Sequence, residues 1–122
     1  MNLGELSLDR GDVRGAADYA RAVLENAART GYPWNVAYAV GLTGRVVAAQ
    51  GSSDAAARLL AASEALLEET GVARQTAEQE AHERVRLQLA ERLGDEAFAE
   101  ASRVGSELSS EAAVAYALGA LD

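Results

Sequence analysis

Residues 42–60, LTGRVVAAQGSSDAAARLL, read as two helices joined at a Gly-Ser-Ser turn, and they have an earlier counterpart in residues 2–20, NLGELSLDRGDVRGAADYA. Laying one on the other pairs Gly4 with Gly44, Gly11 with Gly51, Ala16 with Ala56 and Ala17 with Ala57, all at one offset of 40 residues (44 − 4 = 51 − 11 = 56 − 16). Self-similarity at a fixed period is the mark of stacked supersecondary units, each too small to bury its apolar face alone. The expectation is therefore an all-α solenoid of antiparallel helical hairpins.

Working outward from this hairpin, stop and cap signals divide the chain into about seven helices. Leu3, Leu6 and Leu8 suit a short first helix ended by Gly11-Asp12, with Asp12 capping the next. That second helix, about 13–29, carries Ala16, Tyr19, Ala20, Val23, Leu24 and Ala27 at three- and four-residue spacing and stops at Thr30-Gly31. Pro33 opens a third helix to about residue 50, since proline is tolerated in a first turn. Its Gly41 and Gly44, each costing roughly 1 kcal/mol against alanine in a helix interior, point to another backbone packing close. The next helix runs through Leu59, Leu60, Ser63, Leu66 and Leu67 to Thr70-Gly71. Beyond the polar stretch 72–76, Ala77, Ala81, Val85, Leu89 and Leu93 mark the expected inner stripe of a fifth helix, closed by Gly94. Asp95 and Ser109 are expected to cap two short final helices that cover the end of the stack. The organisation is one domain over 1–122: a first repeat at about 2–31, a second at about 33–71 and a helical cap at about 75–121.

Of the 122 residues, 49% are hydrophobic, much of that alanine, so helices should approach closely. The formal charge of −8 is uneven: residues 1–62 hold six acids and six arginines, residues 63–122 thirteen acids and five arginines (5 − 13 = −8). A negative field on that second half repels phosphate backbones and anionic headgroups, so neither direct nucleic-acid binding nor membrane association is expected. Without cysteine there is no disulfide, thiolate nucleophile or Cys-type zinc site. No signal-peptide pattern or spanning apolar run is present, and the expected location is the cytoplasm.

Leu3-Gly4 in a first helix, Gly11-Asp12 at the turn and Ala16 in a second helix resemble a tetratricopeptide repeat, a resemblance that implies a right-handed solenoid. The second unit keeps Gly44, Gly51 and Ala56 but has Thr43 where leucine would stand, and both units exceed the common repeat of about 34 residues. Such lengthened repeats, followed by LGDEAFAEASRVGSELSSEAAVAYAL, resemble the C-terminal arms of large bacterial STAND-type and LuxR-type ATPase transcriptional regulators. That resemblance implies a sensing or protein-docking arm, with phosphate loop and DNA-reading helices lying elsewhere.

Candidate chemistry is sparse. Glu78, His82 and Arg86 follow at four-residue intervals, where a carboxylate can orient an imidazole, yet such spacing is ordinary for a solvated ion-pair stripe, and HERVR lacks the second histidine of a zinc helix. Glu64, Glu68, Glu69, Glu78, Glu80 and Glu83 form no converging loop for a divalent cation. No catalytic residue, metal or cofactor is therefore expected. The groove that first helices line in tetratricopeptide stacks would present Asn2, Glu5, Asp9, Trp34, Tyr38 and Arg45 to a protein or peptide partner or, alternatively, to a small-molecule effector. Leu3, Leu6 and Leu8, lacking a preceding repeat, form a candidate self-association edge, for which a homodimer is expected.

Overall fold

The computed structural model describes residues 12–121, so the helix expected at 2–9 lies outside the described residues. Within them the chain is helical throughout, with no strand. Six helices follow: α1 (Val13–Thr30), α2 (Pro33–Ala49), α3 (Ser53–Thr70), α4 (Thr76–Leu93), α5 (Asp95–Ser106) and α6 (Ser110–Leu121). They correspond to the second through seventh of the seven that the sequence predicts.

The punctuation follows the chemistry of the ends. The Asp12 side chain accepts a hydrogen bond from the Gly15 amide at 2.9 Å, and the Ser109 hydroxyl accepts one from the Ala112 amide at 3.1 Å, satisfying donors that a helix start leaves open. α1 and α3 have the same length, 18 residues, and their bounds are offset by 40 residues. Both end on a left-handed glycine, Gly31 at φ 74° and Gly71 at φ 70°, a conformation that costs glycine nothing.

α2 is the enclosed element. Twelve of its 17 residues are buried, including every residue from Gly41 to Ala48. Its most extensive partner is α3, and the two glycines explain how close the pair comes. A Cβ at Gly41 would stand 2.7 Å from Ser63 Oγ, and one at Gly44 would stand 2.9 Å from Leu60 Cδ2. The close approach that the sequence demanded at these positions is therefore made by α3. Thr43, buried in the same helix, satisfies its hydroxyl by donating to the Ala39 carbonyl at 2.8 Å.

The main core joins Leu24 of α1, Val40 and Val47 of α2, Leu59 and Leu60 of α3, Leu89 of α4, Ala101 of α5 and Ala117 of α6. A smaller cluster of Ala16, Ala20, Leu42 and Val46 lies between α1 and α2, with Leu121 against it. The two short last helices do cover apolar surface, but in different places. α5 packs on α3 and α4, whereas α6 returns to α2, α1 and α3.

α4 keeps most of its expected inner stripe and adds one residue to it. Leu89 is buried, Ala81, Val85 and Leu93 are part-buried, with Val85 and Leu93 against the core, and of the stripe only Ala77 is exposed; His82, which the stripe did not include, is buried beside it. His82 can join the inner face because it has a polar partner across the interface, which a count of apolar residues misses.

Gly105 of α5 shows the tightest approach: a Cβ there would overlap the Arg58 carbonyl of α3. Gly119 of α6 has open space around it. Gly105→Ala should therefore lower stability by about 2 kcal/mol or more, while Gly119→Ala should be neutral or raise it by up to roughly 1 kcal/mol. Chemical denaturation of the two variants beside the parent checks both signs.

Candidate functional site

Of the residues proposed to line a first-helix groove, the three that are described are buried or part-buried. Trp34 and Tyr38, one turn apart on α2, stack with ring centroids 5.7 Å apart and planes 6° from parallel, and both are part-buried. Each ring thus covers a face of the other. Arg45, two turns on, is only 5% exposed, which removes it from an open groove as the structure stands. Asn2, Glu5 and Asp9 lie outside the described residues, as do Leu3, Leu6 and Leu8 of the self-association edge.

The polar groups that do converge lie where α3 meets α4. Ser63 faces inward among the leucines of α3 and is fully buried. Its hydroxyl donates to the Ala37 carbonyl of α2 at 2.7 Å and accepts from Arg74 Nη2 at 2.6 Å. Arg74 belongs to the 72–75 connection, and its Nη1 reaches Gln79 Oε1 at 3.4 Å. Burial pushes the Arg74 guanidinium below its ordinary pKa, a cost opposed by the carboxylates of Glu64 and Glu78. A single chain of hydrogen bonds thus runs from the α2 backbone through α3 to the start of α4.

Immediately after Ser63, Glu64 Oε1 meets His82 Nε2 at 2.8 Å. A carboxylate only accepts, so Nε2 carries the hydrogen and donates it. The His82 hydrogen bond holds the Glu64 pKa below the ordinary carboxylate value; partial burial opposes this, and the charges of Arg86 and Arg74 assist. The Glu78–His82–Arg86 spacing is thus not a solvated stripe as expected. His82 is 1% exposed and points across to α3, while Arg86 forks onto Glu83 at 2.6 and 3.1 Å. The one sequence signal for this arrangement was a serine in an apolar stripe opposite a helical glycine, because a buried hydroxyl requires partners.

Beside this network opens a cleft of roughly 570 Å³. Glu64, Leu67 and Glu68 of α3 form one wall, residues 71–74 form the bend, and Gln79 of α4 closes the other side. Val72 in the bend is 51% exposed, so apolar surface lies open to solvent there. Among the described residues no three His, Asp or Glu side chains are grouped to hold a metal, and none of the helices is long and apolar enough to cross a membrane.

No protein-family model, curated protein or solved structure matches the chain.

Because His82 is buried and bonded to an ionised partner, His82→Ala should cost roughly 2–4 kcal/mol by thermal or urea unfolding. Glu64 has its own pH signature. Its folded pKa lies below the ordinary 4.5, so its contribution is fully present above that value and is lost as pH falls through the lower folded value. Glu64→Gln should flatten part of the acid limb of a stability–pH profile, leaving the slope due to other carboxylates.

Proposed function

We propose that this chain is a non-catalytic helical scaffold of tetratricopeptide-like build that docks a protein partner, acting as the sensing or docking arm of a bacterial transcriptional or signalling regulator. Support for the repeat reading comes from α1 and α3, matched in length, offset by 40 residues and ended by equivalent left-handed glycines. The regulator context rests on the resemblance of the sequence alone.

The observation that carries docking is the form of the α3–α4 cleft. It is an open trough with exposed Val72 in its bend and polar groups at its sides. A small-molecule sensor would be favoured by an enclosed apolar cavity with a few convergent polar groups, whereas an extended open surface suits a peptide or helix. The convergent polar groups here, Ser63, Arg74 and His82, are engaged in holding the helices together.

A photoreactive phenylalanine in place of Val72, illuminated in the native host, should give one discrete protein adduct, and the same residue in place of exposed Arg84 should give none. A metabolite that raises the melting temperature by several degrees, with no Val72 adduct, would favour the effector-sensor reading instead.

A further inference from the structure

The trough combines a bend that holds exposed Val72 and the part-buried Arg74 with a negative wall, and the negative wall is unusual for where it stands. Glu68 and Glu69 lie in the last turn of α3, which has no basic residue. A helix C-terminus already carries partial negative charge, so carboxylates there are unfavourable and a cation is favoured. The nearby cation, Arg74, is directed inward to Ser63 and Gln79 and faces Glu64 and Glu78. Glu64 and Glu68 are four residues apart, about 6 Å on one helix face, a separation that one planar guanidinium can bridge. Glu64 is braced from behind by buried His82, so part of this wall is positioned before anything binds. The surrounding half of the chain, at −8, draws a positive partner toward it.

Resting on the docking reading, we infer that the trough recognises an arginine-bearing segment of a partner protein. The guanidinium sits between Glu64 and Glu68, and a neighbouring apolar side chain lies on Leu67 and Val72. Arginine is favoured over lysine because the two carboxylates offer a planar, forked donor more than one acceptor site.

The test uses fluorescence anisotropy of the purified chain with short labelled amphipathic peptides carrying arginine, and with counterparts in which arginine is replaced by citrulline or glutamate. Arginine peptides should bind and the counterparts should not. Glu68→Arg should weaken binding at least roughly tenfold, about 1.4 kcal/mol. Glu91→Arg changes net charge equally but lies about 18 Å farther along α4 than Gln79, and it should alter affinity less than about twofold. Both replacements are at exposed positions, and circular dichroism verifies the fold of each.

Equal losses in the two variants would reduce the effect to general charge attraction and overturn the site. Binding of free arginine as tight as that of the peptides would replace a protein segment by a small cation. Self-association of the chain abolished by Glu68→Arg would make a second copy the occupant. If no arginine peptide binds while the Val72 photoadduct persists, docking stands and the partner chemistry proposed here falls; if the adduct is also absent, the docking reading itself fails.

Discussion

The close contact of α2 with α3 is the constraint on which the other helices depend. Two glycines on α2 let Ser63, Leu59 and Leu60 come within a distance that any side chain at those positions would prevent. With the axes so near, α2 loses almost all solvent contact, and its remaining sides are covered by α1 and α6. A buried helix can be this alanine- and glycine-rich because dispersion contacts along a tight interface replace the larger side chains that a looser one would need.

The same closeness creates a requirement. Pressing Ser63 against Gly41 buries a hydroxyl, which is satisfied by the Ala37 carbonyl on one side and by Arg74 on the other. Arg74 pins the connection that follows α3, and His82 pins α4 through Glu64. α4 contributes little apolar burial of its own, with His82 and Leu89 its only buried residues, so polar bonds position much of this helix. The trough is what remains between a helix fixed by packing and a helix fixed by hydrogen bonds.

Much of this was legible in the sequence, for physical reasons that differ between elements. Gly31, Gly71 and Gly94 adopt positive φ at three of the predicted stops, and Asp12 and Ser109 cap as their side chains dictate. Gly41 and Gly44 announced a close neighbour without naming it. The inner stripe of α4 was legible from Ala81 to Leu93, but the burial of His82 was not, because a histidine on that face reads as polar. Arg45, expected to face a groove, is buried, and Arg74, expected in a polar loop, helps build the candidate site. Arg74 does lie in that loop, but its bond to Ser63, eleven residues back, is one that no local pattern encodes. The return of α6 to α1 and α2 is likewise a tertiary choice.

That return has a mechanical consequence. In an open row of hairpins each unit touches only its neighbours, and an end can peel away without disturbing the rest. Here Leu121 rests against the cluster that holds Ala16 and Ala20, so the final helix staples the far end of the described chain to its near end. A pull on the α3–α4 elbow is then shared by the entire bundle instead of unzipping one hairpin.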